Sequence, residues 1–343
     1  MATGFPSGTN TFIPSYEASG KLLVSYSRNP KDFALNRYVQ IRQAKKSLGY
    51  YLKLTPENAA RILSTSVHDA VWHDGQDAPT GEWNTESHEF IPFSTIRYGF
   101  PFRLGYKAVD QADWQIKAVH AANAAQQCMT GRTLNVVTKL TTAANWPSTH
   151  TSASGTAFIG GPLDAGTNFR IKGALNKMAQ QILKSTLGVI KPKDLHIVMS
   201  PVLADKLGRT TEIHEFVKSS PFAQAQIRGD SPSLNGIWGL PDVLYGFPVT
   251  VEDAVRVSSR KGATPASSFL FPDNTLLMVA RPGALVSEGS EAFSTAVLFM
   301  YEEMTVESKD DPDNRRHSGR VVDDYAAELV STISGFYLVD ALA

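Results

Sequence analysis

The stretch that decides the fold lies between residues 167 and 217, and its centre reads Lys191-Pro192-Lys193-Asp194-Leu195-His196-Ile197-Val198-Met199-Ser200-Pro201. The run from Leu195 to Met199 is apolar and has the length of a strand, which predicts a buried strand. Ser200 can cap a helix that follows it. Pro201 suits the first helical position, because the N–H that it lacks has no helical partner there.

A helix is predicted before this strand, and a second short helix after the Ser-Pro pair. The apolar stripe of the first helix has spacings of four, three and four and consists of Ile171, Leu175, Met178 and Ile182. Gly188 can take the left-handed conformation that ends this helix, and Pro192 discourages its continuation. The later helix places Ile213, Phe216 and Val217 on one face. Such an α/β unit specifies no chemistry by itself.

The composition is that of a globular chain. It has 343 residues, of which 42% are hydrophobic and 19% are charged, with 33 basic and 33 acidic side chains. This balance shows none of the basic excess that is usual in proteins that bind phosphate backbones, although it can hide a local patch. The single cysteine, Cys128, excludes an internal disulfide and fits a reducing compartment. The sequence shows neither a signal peptide at its start nor an apolar run of membrane-spanning length.

An aromatic segment between Phe90 and Tyr106 predicts an exposed two-stranded ribbon. Pro92 and Pro101 interrupt the hydrogen-bond donors that a central strand would need. A two-stranded ribbon cannot bury both of its faces, so we expect it to need a partner surface. The candidate contact residues are Phe90, Phe93, Arg97, Tyr98, Phe100, Arg103 and Tyr106. Aromatic rings interleaved with arginine also leave open the stacking of single-stranded nucleic acid.

Other segments are predicted from local pattern. A helix is expected over residues 110–129, ended by Gly131, and a strand over 133–140. Strands are expected to pair over 269–273 and 275–280, and a long hairpin or strand–helix pair over 295–306 and 319–330, with a charged tip at 309–316. Thr55 is expected to cap a short helix. Residues 1 to about 50 are apolar but aperiodic, which favours an arm that wraps along another surface; the alternative is a partly disordered terminus.

No constellation of residues predicts a catalytic, cofactor or metal site. His68 and His73, beside Asp69 and Asp74, are five residues apart, a spacing that does not place both histidines on one helical face. The start of a calcium-like loop at Asp311 lacks the glycine and the distal glutamate of that motif. The sequence contains neither a nucleophile elbow nor a phosphate-binding glycine loop. We therefore expect a protein that is not an enzyme.

Three groups of motifs follow one another along the chain: Met199-Ser200-Pro201 with Ala204, Lys206 and Leu207; Gly239-Leu240-Pro241 with Tyr245-Gly246-Phe247-Pro248-Val249; and the tail from Phe293-Ser294-Thr295 through Arg315-Arg316 to Asp323-Asp324-Tyr325. The order of these motifs gives the chain a resemblance to the major capsid proteins of tailed phages, whose fold is named after phage Hong Kong ninety-seven. The resemblance implies an α+β fold with an N-terminal arm, an extended β-ribbon loop, a peripheral domain with a long spine helix, and an axial α/β domain.

The resemblance divides the chain into an arm (1–54), a short helix with the extended loop (55–108), the first part of the peripheral domain with its spine helix (109–166), the axial domain (167–285) and the closing strands of the peripheral domain (286–343). It implies hexamers and pentamers in an icosahedral shell that encloses double-stranded DNA, built in the host cytoplasm and found in the virion. A scaffolding protein, a portal and a decoration protein are implied partners, with weak DNA contact at the inner face and no membrane.

Two further expectations come with the resemblance. The first is an alternative function, an encapsulin-like compartment; the aperiodic N-terminal residues favour the phage interpretation over it. The second concerns covalent cross-links, which some members form from a lysine on the extended loop. Residues 71–106 contain no lysine, so we expect mature particles to dissociate into single chains in denaturing gels. A third alternative, which is not a shell protein, is an enzyme that binds a small molecule and is built on residues 167–217.

Overall fold

The computed structural model describes residues 33–53, 73–75, 89–112, 115–153, 160–164, 170–260, 262–281 and 294–342. The predicted short helix after Thr55, the cluster at His68 and the first 32 residues of the predicted arm lie outside these ranges. Among the described residues, no helix is both long enough and apolar enough to cross a membrane.

Six helices and fourteen strands are found in the described residues. The helices are α1 (Tyr106–Asp110), α2 (Ile116–Leu140), α3 (Arg170–Ser185), α4 (Pro201–Gly208), α5 (Thr211–Ser219) and α6 (Pro221–Arg228). The strands are β1 (Gln40–Gln43), β2 (Leu48–Lys53), β3 (Glu89–Ser94), β4 (Ile96–Gly105), β5 (Thr151–Ala153), β6 (Leu195–Met199), β7 (Val243–Leu244), β8 (Phe247–Val251), β9 (Val255–Val257), β10 (Ser267–Phe269), β11 (Thr275–Ala280), β12 (Ala296–Asp311), β13 (Arg316–Leu329) and β14 (Phe336–Val339).

The deciding stretch folds as its sequence predicts. Every residue of β6 is buried, and the four stripe residues of α3 are each at most 1% exposed. Gly188 follows α3 with a φ of +81°, which is the left-handed conformation that favours glycine. The Ser200 hydroxyl accepts a hydrogen bond from the Leu203 N–H at 3.1 Å and so caps α4, with Pro201 at its start. The predicted strand, cap and helices are confirmed.

A mixed six-stranded sheet forms the centre of this part of the molecule. Its strand order is β5-β14-β11-β6-β8-β7, with β6 parallel to β8 and β5 parallel to β14. Helices α3, α4 and α5 supply apolar side chains to the core that β6, β8 and β11 also line. Strands β5 and β14 come from segments that the sequence analysis assigned to the peripheral domain. The sheet therefore crosses the predicted boundaries at residues 166 and 286.

A four-stranded sheet carries the long helix α2. Its order is β1-β12-β13-β4, and α2 packs on one face through Val136, Val137 and Leu140. The predicted strand over 133–140 is wrong, because α2 continues unbroken through Gly131 to Leu140. Those buried side chains lie against the sheet at helical spacing, so packing outweighs the strand preference of valine and threonine.

The N-terminal described segment belongs to the core of the subunit. Phe33, Leu35 and Tyr38 are each at most 3% exposed, and β1 pairs in parallel with β12 from Gln40 to Gln43. The prediction that the chain up to residue 54 forms an arm on a neighbour is therefore wrong for residues 33–43. The sequence does not reveal this, because the apolar residues of this segment match neither a strand nor a helix period.

The later strands partly match their predictions. Strands β12 and β13 form the long hairpin, whose turn contains Arg315 with a φ of +48°, so the hairpin interpretation and its charged tip are confirmed. The predicted strand pair over 269–280 is wrong. Strand β10 pairs with β9, and β11 lies between β6 and β14.

Candidate functional site

An apolar face of the ribbon formed by β2 and β3 is the candidate site for contact with other molecules. In the antiparallel register Leu48 lies opposite Ser94, Tyr50 opposite Pro92 and Leu52 opposite Phe90, so these six side chains share one face, the ribbon face. The side chains of Leu48, Tyr50, Leu52 and Phe90 are 70%, 74%, 43% and 63% exposed. A contiguous set of large apolar side chains in water marks an interaction surface.

The opposite face of the ribbon anchors it to the subunit. Phe93 is buried and stacks on Phe299 of β12 with ring centroids 4.2 Å apart, and Tyr51 stacks on the same ring at 5.9 Å. Gly49 lies against the Phe93 ring so closely that a Cβ atom there would stand 2.7 Å from it. The inner face thus fixes the ribbon on the sheet, while the four large apolar side chains of the ribbon face are at least 43% exposed.

The structure divides the seven predicted contact residues between several environments. Only Phe90 lies on the ribbon face. Strand β4, from Ile96 to Gly105, is not a free ribbon strand, because it pairs with β13 as the edge of the four-stranded sheet. The prediction that residues 90–106 form one ribbon apart from the core is therefore wrong: the ribbon pairs residues 48–53 with 89–94.

Three of the predicted aromatic residues pack inside the subunit. Tyr98 stacks on Tyr325 with ring centroids 4.9 Å apart, and Phe100 packs against the buried cluster of Ala124, Cys128 and Val321. Tyr106 lies 4.6 Å from the ring of His317. Phe93, as described above, faces inward as well. Contact of these residues with a neighbouring subunit stays a prediction.

The two predicted arginines lie on the opposite face of the sheet from α2. Arg97 forms ion pairs with Glu302 and Asp324, each at 3.3 Å. Arg103 lies on the same face and is exposed. The pair with Glu302 is open to solvent, so we expect it to add little to the stability of the fold, whereas Asp324 is buried and its pair with Arg97 is partly shielded from water.

The sequence analysis missed Leu48, Tyr50 and Leu52 because it placed them in the arm. Their alternation along Leu48-Gly49-Tyr50-Tyr51-Leu52 is a strand signal that a search for period two could have found. Their partner strand lies more than 35 residues away in sequence, so the pairing itself had no local signal. The ribbon also contains Lys53, opposite Glu89, so the absence of lysine noted for residues 71–106 does not extend to the whole ribbon.

A second set of exposed apolar side chains is held by a polar loop beside β7. Leu234 and Ile237 are 63% and 86% exposed. Beneath them an oxygen of Asp242 accepts hydrogen bonds from the Ser233 hydroxyl at 2.9 Å and from the Leu234 and Asn235 N–H groups at 3.1 Å. These hydrogen bonds hold the backbone of the loop, which lowers the conformational entropy that a contact there would cost.

Ion pairs line the long hairpin of β12 and β13. Arg316 lies 2.9 Å from Asp311, and Asp310 forms a hydrogen bond with His317. The hydrogen bond from His317 holds the pKa of the Asp310 carboxyl below its ordinary value, and a hydrogen bond from Asn314 does the same for Asp311. The carboxylates of Asp310 and Asp311 thus pair with groups of the same hairpin, which fits the solvated tip that the sequence predicts.

The buried polar groups near α2 have a structural role. Arg132 donates to both carboxylate oxygens of Asp323, at 2.7 and 2.8 Å. Burial, together with the Asp323 carboxylate, raises the pKa of the Cys128 thiol to about 12, so this thiol is protonated at neutral pH and is a poor nucleophile. Within the described part of the chain, no group of three or more His, Cys, Asp or Glu side chains could hold a metal ion.

Comparison with solved structures identifies the fold, whereas neither a protein-family model nor a curated protein matches the sequence. The capsid structure of cyanophage P-SCSP1u superposes with a TM-score of 0.59 at 12% identity, over 98% of this chain and 93% of that chain. A phage-related protein from Bordetella bronchiseptica gives 0.58 at 13% identity, over 89% and 90%. A structure from Mycobacterium phage Bobi gives 0.52 at 10% identity, over 93% of each chain.

These superpositions extend over nearly the whole chain, so they concern its complete architecture and not one shared unit. The chain has the α+β fold of phage capsid proteins. The fold that the sequence motifs imply is thereby confirmed.

Proposed function

We propose that this chain is the major capsid protein of a tailed, double-stranded-DNA phage, and that its copies form the hexamers and pentamers of an icosahedral shell. The fold supports this role, because it is shared with a cyanophage capsid over 98% of the chain. In this proposal the protein is structural and not an enzyme, and it resides in the virion after assembly in the host cytoplasm.

The observation that carries the proposal is the ribbon face. Four large apolar side chains, each at least 43% exposed, stand on an element whose other face is locked to the subunit by Phe93. A ring of identical subunits uses two different patches, one on each side of every subunit, so a projecting apolar ribbon suits such a contact. We propose that the ribbon face packs on an adjacent copy of the chain.

Other partners follow from the shell. A scaffolding protein, a portal and a decoration protein would act with the chain during assembly and maturation, and packaged DNA would contact the inner face weakly. The formal charge of zero, with 33 basic and 33 acidic residues, suits a wall that contains DNA without binding it tightly over its whole surface.

Negative-stain electron microscopy of the full chain purified from expressing cells tests the proposal, with sedimentation to measure the assembled fraction. We expect closed particles of uniform diameter. Shells filled with a cargo protein in the producing cells would instead identify the encapsulin-like compartment. A chain that stays monomeric at all concentrations, with and without a co-expressed scaffolding protein, would contradict both.

A further inference from the structure

The surface of helix α3 and the turn after it is basic, although the chain as a whole is neutral. Between residues 170 and 193 the sequence has no aspartate or glutamate and six basic residues: Arg170, Lys172, Lys177, Lys184, Lys191 and Lys193. With 33 acidic residues in 343, a segment of 24 residues would ordinarily contain about two of them. The segment is therefore a local exception to the charge balance.

The fold turns these cations toward solvent. The apolar stripe of α3 is buried in the core, so Lys172, Lys177 and Lys184 are left on the exposed side. Lys177 and Lys184 are seven residues apart, which is close to two helical turns, so they lie on one face about 10 Å apart along the axis. Lys191 and Lys193 are exposed beside them, because the turn at residues 192–194 packs next to α3.

Two acidic side chains near this surface, Glu212 and Asp194, face other groups. Both carboxylate oxygens of Glu212 accept hydrogen bonds from the Ile171 and Lys172 N–H groups, at 2.9 and 2.8 Å, at the start of α3. Asp194 is buried and lies 3.6 Å from Arg281.

Three of the lysines are open to an external ligand. Lys184, Lys191 and Lys193 form no ion pair with any other residue in the described ranges. Their charges therefore remain available to a phosphate group from another molecule.

We propose that this surface, the α3 face, binds the phosphate backbone of double-stranded DNA and is the side of the subunit that faces the packaged genome. The inference rests on the proposed capsid function. Besides the lysines, the face exposes the amides of Asn176 and Gln180, which can donate to phosphate oxygens without reading sequence. Contacts that neutralise only a few phosphates bind weakly and without sequence preference, as a container requires.

An anionic membrane is the other ligand that a lysine-rich helix could take. Leu187 and Val189 are 40% and 47% exposed near Lys184, but two apolar side chains do not form the continuous apolar face that interfacial helices bury. The remaining exposed side of α3 is polar. The chemistry of the face therefore favours a phosphate backbone over a bilayer.

Fluorescence anisotropy with the unassembled full chain and a DNA duplex of roughly 30 base pairs tests the proposal across about 50–200 mM salt. The test variant carries Lys184→Gln, Lys191→Gln and Lys193→Gln. The matched control carries Lys45→Gln, Lys46→Gln and Lys309→Gln, which removes the same charge from exposed lysines elsewhere. We expect the slope of log affinity against log salt to fall by about 2–3 for the test variant alone, since each phosphate contact contributes roughly 0.9.

Three results would overturn the inference: equal duplex binding by the test variant and the wild type, an equal loss in the control, or lysine-dependent binding to vesicles with phosphatidylserine together with lysine-independent binding to the duplex. Thermal melts of both variants check that they fold. Because binding is measured on subunits, its outcome is separate from the particle assay. If the wild type forms particles but its DNA binding does not depend on the three lysines, only the proposal for the α3 face is refuted. If DNA binding depends on the lysines but no particles form, only the proposal of a shell is refuted.

Discussion

Tyr38 ties the N-terminal segment to the six-stranded sheet through one buried hydrogen bond. Its hydroxyl donates to Glu252 at 2.8 Å, and both side chains are 0% exposed. Burial raises the pKa of the Tyr38 phenol well above its ordinary value, and the Glu252 carboxylate adds to this effect. The phenol therefore stays protonated and remains a donor throughout the neutral range.

We predict that Tyr38→Phe lowers the free energy of unfolding by about 1–3 kcal/mol, because the buried carboxylate loses a donor that water cannot replace. Urea unfolding followed by circular dichroism at neutral pH measures the change. Tyr50→Phe is the control, since that hydroxyl lies on the exposed ribbon face and its loss should leave stability unchanged. Equal midpoints for the two variants would show that the Tyr38 bond contributes nothing.

His196 gives the fold a dependence on acid pH. Burial, and secondarily the positive charges of Arg37 and Arg281, lowers the pKa of His196 to about 4. An unfolded histidine has a pKa of about 6.5. Between that pH and about 4, the unfolded state therefore binds a proton that the folded state does not bind. The contribution of His196 is thus fully present above about pH 6.5 and is lost as the pH falls toward 4.

We predict that His196→Gln flattens the loss of stability between about pH 6.5 and 4, by at most about 3 kcal/mol relative to wild type. Glutamine does not titrate and can still form a hydrogen bond with Thr250, which lies 2.6 Å from the imidazole. Urea midpoints at several pH values for both proteins give the difference. Parallel curves for the two proteins would mean that His196 keeps an ordinary pKa in the folded state.

At the scale of elements, the segment that contains β1 belongs to the core of the subunit. Removal of residues 1–32 keeps Tyr38 and β1, whereas removal of residues 1–45 deletes both. We predict that the shorter deletion leaves the melting temperature close to that of the full chain and prevents stable shells. The longer deletion should lower the melting temperature by about 5–10 °C, since losing a few kcal/mol has that effect in a domain of this size.

Thermal melts of both truncated chains, together with sedimentation of their particles, check this prediction. It replaces the expectation from sequence that the chain up to residue 54 forms an arm. Equal melting temperatures for the two truncated chains would show that residues 33–45 do not stabilise the subunit. Normal particles from the shorter deletion would show that residues 1–32 are not needed between subunits.

Elements defined by local pattern were predictable, and elements defined by distant pairing were not. Helix α3 has an apolar stripe and a glycine stop, and strand β6 is a continuous apolar run that ends at the Ser200 cap of α4, so local sequence specifies both. The second half of α2 reads as a strand, because Val136 and Val137 prefer strands in isolation. Packing on β13 makes this segment helical, and the neighbouring sequence does not predict that packing.

The candidate site was only partly predictable. The aromatic residues near Phe90 indicated a ribbon, but three of the four large apolar residues on the ribbon face, Leu48, Tyr50 and Leu52, were missed. The partner of β3 is β2, and the partner of β4 is β13, which lies more than 200 residues further along the chain. Pairing over such separations depends on the tertiary fold, so a ribbon strand and a sheet-edge strand look alike in sequence.

At the scale of the whole molecule, apolar and basic surfaces lie on different elements. The ribbon face is on the β2–β3 ribbon, and the α3 face is on a helix that packs against the six-stranded sheet. In a shell, one surface would join neighbouring subunits while the other would meet the contents. This separation allows either property to be changed alone, which makes the two proposals independently testable.

The strongest test of the assembly surface compares aromatic residues on the two kinds of strand. Phe90 is 63% exposed on the ribbon face, whereas Tyr98 stacks on Tyr325 inside the subunit. We predict that Phe90→Ala leaves the melting temperature of the subunit unchanged and sharply reduces particle yield. Truncating one anchoring aromatic at an interface costs roughly 2–4 kcal/mol, and every subunit of a closed shell incurs that cost.

Tyr98→Ala should behave in the opposite way. It removes a stacked ring next to the buried Arg132–Asp323 pair, so we expect the free energy of unfolding of the subunit to fall by about 1–3 kcal/mol. Glu89→Ala, on the other side of the same ribbon, is the control for general disturbance of the ribbon. Subunit melts paired with sedimentation of the assembly reaction distinguish the cases. If Phe90→Ala and Glu89→Ala assembled equally well, the ribbon face would not be the contact between subunits, and the exposed loop at Leu234 and Ile237 would become the next surface to test.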